Sequence, residues 1–239
     1  MTTRFSTLTA ALDTVLDPEL DEPITTLGFV LSGTVTQDGV AQVRLKLPTF
    51  FCAPNFAYLM VADAHEAALL VQGVVAADVK LEEHLFADQI NKGVAAQAGF
   101  TGAFGDEASA ELDELRASFL RKAVLAGSDR VSRPLAAAGA TPADLATMTL
   151  GSVPDSPDLA RLRHRRARLG LPAAAGDPLL IDPATGEPVG IEKLGLHLRF
   201  AQATAVGMEA NTGICRDQLA YRVPGRPRGD QKQAEPSRA

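Results

Sequence analysis

The sequence predicts an α+β protein, with a small helix-strand-strand-helix-strand module followed by a mainly helical extension. Three observations carry that prediction. Apolar residues recur at helical spacing over Leu8–Leu16 and again over Asn55–Val71. Between these stretches, Ala41, Val43, Leu45 and Leu47 alternate with Gln42, Arg44 and Lys46, the period of a half-buried strand. Beyond residue 88 the chain turns rich in Ala and Leu and is punctuated by Pro and Gly.

In the module, Leu8, Leu12, Val15 and Leu16 share one helical face, and Pro18 ends the helix. Asp17-Pro-Glu-Leu-Asp-Glu-Pro23 is a loop. Phe29–Val35 has the β-branched content of a strand, and Gln37-Asp-Gly39 marks a hairpin turn into the alternating strand. Pro48–Pro54 is a second loop, carrying Cys52. The helix over Asn55–Val71 places Phe56, Leu59, Met60, Asp63 and Ala67 at helical spacing. Gly73 breaks it, and Val74–Leu81 is the third strand.

In the extension, Asp106–Leu125 reads as a helix capped by Asp106 or Ser109, with Leu112, Leu115, Phe119 and Leu120 as its apolar stripe. Thr141-Pro-Ala-Asp144 is a helix start with Pro in the first turn. Pro157–Leu169 is a short basic helix. Asp177–Val189 is extended around a turn at 182–186, and Ile191–Val206 is a further helix. Pro224–Ala239 lacks apolar runs and is expected to be disordered. The expected domains are therefore 1–88, 89–223 and the tail 224–239.

Composition narrows the function classes. The 239 residues are 46% hydrophobic, ordinary for a globular chain, with a net charge of −6. Residues 1–90 hold 12 acidic and 4 basic side chains, a poor surface for phosphate backbones, so no nucleic-acid partner is expected. The one dense basic run, Arg161–Arg168, is read as the solvated face of a helix. Two cysteines, Cys52 and Cys215, make neither a disulfide framework nor a zinc ribbon. No stretch approaches about 18 uninterrupted apolar residues, so no membrane span is expected. Met1–Leu20, with a lone Arg4 and with Asp13 inside its apolar stretch, is a poor secretory signal. A cytoplasmic location with reduced thiols follows. GxSxG, Walker, strand-borne GxGxxG and HExxH motifs are absent, so no enzymatic activity is expected.

Chemistry concentrates in the first module. Asp17-Pro-Glu-Leu20, Leu27-Gly-Phe-Val30 and Thr49-Phe-Phe-Cys52-Ala-Pro54 stand in that order on the predicted frame. Over residues ~8–84 the chain resembles the SufT/PaaD-like family of iron–sulfur cluster assembly proteins. That family's pattern has an Asp-Pro-Glu loop, a Leu-Gly-Leu/Ile-Val start to the first strand, and a Thr-containing loop with Cys-Pro before the second helix. This chain departs from it in Cys52-Ala-Pro54, in the aromatic pair Phe50-Phe51, in lacking Trp, and in its long extension.

The resemblance implies a carrier of iron or of an iron–sulfur cluster, held transiently and delivered to a client apo-protein such as a diiron monooxygenase component. It points to Cys52, Asp17, Glu19 and Thr49 as the cofactor-binding set. A thiol at a helix N-terminus meets the positive end of the helix dipole, which favours thiolate, the soft ligand that iron clusters use. Asp17 and Glu19 are harder donors on a loop expected at the same sheet edge. Equally, Asp17 suits a turn cap and Cys52 a core position. Cys215 and His84 are the further candidate metal ligands. Cys215 lies in a polar, glycine-bearing stretch, Met208–Asp217, read as a loop that folds back over the module. His84 follows the third strand, and His65, His164 and His197 are read as structural. Two thiols fall short of the four of a cysteine-only cluster, so a homodimer is one way to supply the rest. The alternative is a metal-free accessory protein that binds an oxygenase subunit during assembly.

Overall fold

The computed structural model describes residues 5–105 and 112–223, which form two compact units. Among the described residues the first comprises 5–105 and 211–223, the second 112–210. The expected boundary after residue 88 falls inside the first unit. The expected caps Asp106 and Ser109, and the tail 224–239, lie outside the described residues.

In the first unit, α1 (Leu8–Leu12) begins at Thr7, whose side chain accepts from the Ala10 N–H. It stops four residues short of the expected end. The chain turns at Asp13, and Leu16 then bridges to Pro23, closing the Asp17–Pro23 loop. β1 (Val30–Val35) pairs antiparallel with β2 (Val40–Lys46) through a turn in which Gly39 has φ +78°. A Cβ there would stand 2.7 Å from the Gly73 carbonyl oxygen.

β2 pairs parallel with β3 (Ala76–Glu82), so the sheet order is β1-β2-β3. Parallel pairing demands a crossover, and α2 (Pro54–Leu69) supplies it. Its Ala57, Leu59, Met60, Val61 and Ala64 are buried with Val43, Leu45 and Leu81 of the sheet. The alternate residues of β2 carry charge: Arg44 pairs with Asp78 at 2.7 Å and with Glu82 at 3.8 Å.

Two short helices after β3 were not anticipated, α3 (Ala87–Ala95) and α4 (Gly99–Phe104). They close on α2 through an aromatic group, with the Tyr58 ring centroid 5.6 Å from that of Phe100 and 6.4 Å from that of Phe104.

The second unit contains α5 (Leu112–Ala137), α6 (Pro142–Thr147), α7 (Pro157–Arg168) and the first part of α8 (Ile191–Arg222). Thr141 and Asp144 form a reciprocal capping box on α6, and Ser156 caps α7. Segment 177–189 is extended, with Ile181 bridging Pro188. Val124, Leu145, Leu150, Leu159, Leu162 and Leu179 lie in the core.

Two expectations are corrected. The basic run is not a solvated face throughout, because Arg165 and Arg166 are 3% and 0% exposed. Arg166 donates to the carbonyls of Pro178 and Leu179, so its charge pins the extended segment. Nor does a loop occupy Met208–Asp217, where α8 runs through as one helix. Gly207 and Gly213 each cost about 1 kcal/mol relative to Ala. The buried stripe Met208, Thr212 and Leu219 supplies the packing that overrides this propensity.

Candidate functional site

Three loops of the first unit and the C-terminal end of α8 converge. The first loop is built on Asp17. Its Oδ1 accepts the backbone N–H groups of Glu19 and Leu20, each at 2.8 Å, while the Asp17 N–H donates to Glu22 and its carbonyl accepts from Asp21. The turn-capping role expected for Asp17 is therefore present, and Asp17 is 7% exposed. Burial raises its carboxyl to about 6, against the two N–H donors that lower it, with Glu19 and Asp21 adding repulsion.

The second loop carries the thiol. Cys52 is half-buried just before Ala53, the N-cap of α2, and its Sγ lies 3.1 Å from the Thr49 Oγ1. Thr49 thus touches the sulfur itself. The flanking Phe50 and Phe51 are 57% and 63% exposed and meet edge to face at 4.9 Å.

The third loop follows β3. His84 is buried, with Nε2 2.8 Å from the Cys52 carbonyl oxygen, and its Nδ1 accepts the Phe86 N–H at 3.1 Å. An Nδ1 that accepts is unprotonated, so Nε2–H is the donor to Cys52. Burial, and secondarily Arg222, lower the imidazole's pKa, while its bond to Cys52 opposes them. Both ring nitrogens face backbone groups. His84 therefore supports the thiol loop in this geometry and does not present a nitrogen as a ligand.

The end of α8 closes the arrangement. Arg216 Nη2 meets Glu22 Oε2 at 2.6 Å, on the loop of Asp17. Arg222 donates to the Leu47 carbonyl at 2.7 Å and the Glu83 carbonyl at 3.0 Å, one on the strand end before each of the other two loops. Lys46 adds an ion pair to Glu83 at 2.6 Å. Cys215 immediately precedes Arg216 on the helix. Burial pushes its thiol up to about 11, with further repulsion from Asp17, Cys52 and Glu19. The two thiols and the two carboxylates of the sequence reading thus share one electrostatic neighbourhood.

Their donor chemistry, soft sulfur beside oxygen, suits iron. Among the described residues, no group of three or more His, Cys, Asp or Glu side chains is arranged to hold a metal ion. His65 lies on α2, and His197 belongs to the part of α8 in the second unit. The sequence reading missed Glu22, Arg216 and Arg222. No local motif marks them, because each acts on a segment distant in sequence.

A thiol loop at a helix N-terminus, on a three-stranded sheet crossed by that helix, defines a small thiol-bearing α+β domain. Residues 6–79 match the family model described as iron-sulfur cluster assembly protein, so this module is similar to that family. The matched stretch contains Asp17, Glu19, Thr49 and Cys52, and ends before His84 and Cys215. No curated protein and no solved structure matches the chain. No helix of the described residues is long and apolar enough to cross a membrane.

Proposed function

We propose that this protein works in iron–sulfur cluster assembly as a carrier, receiving iron or a cluster and delivering it to a client apo-protein. The family match supports the general role. The observation that carries the finer reading is the thiol loop, with Cys52 Sγ 3.1 Å from Thr49 Oγ1 at the start of α2. Cys215, outside the matched stretch, is brought to the Asp17 loop by the adjoining Arg216, which meets Glu22 at 2.6 Å. Cys52 is the principal ligand in this reading, Cys215 the second, and the carboxylates supply harder donors. Two thiols per chain make the cargo transient, completed by the client or by a second copy of the chain. The likeness to SufT/PaaD-like proteins points to a diiron monooxygenase component as client, in the cytoplasm, with no catalytic turnover by this chain.

Anaerobic reconstitution with iron and sulfide tests the reading. Cys52→Ser is expected to lose most of the bound iron, and Cys215→Ser part of it. Equal iron retention by Cys52→Ser and wild type would remove Cys52 as the carrier residue.

A second reading rests on the apolar rim around Cys52. Phe50, Phe51 and Leu85 are all more than half exposed, and the Leu85 N–H bonds the Phe50 carbonyl at 2.8 Å. Such a rim suits a metal-free accessory protein that docks on an oxygenase subunit. Purified protein free of iron that still co-purifies with its client would favour that role.

A further inference from the structure

We infer that His84 is a positioning residue for Cys52, fixing the thiol loop through the backbone. This rests on the reading of Cys52 as the working thiol. The loop is poorly held by its own helix: Ala53 offers no side-chain cap to α2, and Pro54 has no N–H. Its restraints come instead from the turn after β3.

Two hydrogen bonds bracket Cys52. The Leu85 N–H donates to Phe50 at 2.8 Å, and His84 Nε2–H donates to Cys52 itself at 2.8 Å. The donor must sit on Nε2, because the Phe86 N–H points at Nδ1 from 3.1 Å and selects that tautomer. The ring is held from the side as well, with the Phe86 centroid 6.2 Å away. With its carbonyl held, the Cys52 backbone is placed so that Sγ lies 3.1 Å from Thr49 Oγ1. A side chain of similar bulk without an N–H donor would fill the space and leave the carbonyl unheld.

The test uses the full chain and needs no iron. Iodoacetamide labelling, resolved peptide by peptide, compares wild type, His84→Phe and His84→Gln, with hydrogen exchange over 49–57 in parallel. Loss of one buried hydrogen bond should raise local opening about tenfold in His84→Phe, and Cys52 labelling should rise with it. His84→Gln, whose amide N–H can reach the same carbonyl, should fall back most of the way to wild type. A merely structural role would lower the melting temperature of both variants without a selective change at Cys52, and that result would overturn the inference.

Should His84→Phe fail to fold, the wild type still answers through its imidazole nitrogen resonances. An Nε2–H tautomer with a slowly exchanging proton is expected, and an Nδ1–H tautomer would overturn the assignment. Equal iron retention by Cys52→Ser and wild type would count against the carrier reading alone and would leave these readouts intact.

Discussion

Arg216 and Glu22 stand 194 positions apart in the chain and meet at 2.6 Å. This contact ties the end of α8 to the loop built on Asp17, and Cys215 precedes Arg216 by one residue. The pair is partly exposed, at 41% and 27%, so its direct worth is about 0.2–1 kcal/mol. Glu22→Gln should barely move the melting temperature. It should raise hydrogen exchange over 211–222 at low salt, and the difference should shrink at 1 M salt, because salt weakens a partly exposed ion pair. Unchanged exchange at both salts would show that packing alone holds this end of α8.

Asp17 makes stability depend on pH. Its carboxyl titrates at about 6 in the fold, chiefly through burial, against an ordinary 3.8. The folded state therefore binds this proton more tightly than the unfolded chain. The ionised group costs stability fully above pH 6, less as pH falls through 6, and nothing below 3.8. The penalty at neutral pH is at most roughly 3 kcal/mol. Asp17→Asn keeps an oxygen for the Glu19 and Leu20 N–H groups and removes the charge. Melting curves between pH 4 and 8 should show the variant gaining on wild type as pH rises. A constant difference would contradict the assignment.

Gly93 is the point at which α3 touches α4 and α2. A Cβ there would lie 2.4 Å from the Ala103 Cβ and 3.2 Å from the Tyr58 ring. Gly93→Ala should cost about 1–3 kcal/mol by overpacking, in spite of alanine's better helix propensity. Urea denaturation measures this. Stabilisation would mean that the α3–α4 contact yields.

The sequence pattern revealed what is local and periodic. Ala41–Leu47 alternates cleanly because β2 is central, with one face under α2 and the other charged. The Asp17 and Cys52 loops were legible because Pro and Cys mark them within a few residues. What escaped depends on tertiary packing. Gly213 read as a loop residue, and only the buried stripe of α8 makes it helical. Arg165 and Arg166 read as solvent-facing because nothing nearby in sequence shows the carbonyls that Arg166 meets. His84 read as a ligand by residue type, and its tautomer emerges only from the Phe86 N–H and the Cys52 carbonyl.

Cys215 supplies the last prediction. With its thiol at about 11, against an ordinary 9.0, about one molecule in a thousand carries thiolate there at pH 8, against one in ten for an unperturbed thiol. Its alkylation should be about a hundredfold slower than that of a free thiol and should rise tenfold per pH unit until close to 11. Burial is the main cause and Asp17 the next, so Asp17→Asn should speed Cys215 labelling at pH 8. A labelling profile that levels near pH 9 would remove the perturbation. The same protonation bears on the cargo. A metal that takes Cys215 must displace a tightly held proton, so iron retention that depends on this residue should strengthen as pH rises. Cys52→Ser protein, left with Cys215 as its only thiol, should show that rise most steeply.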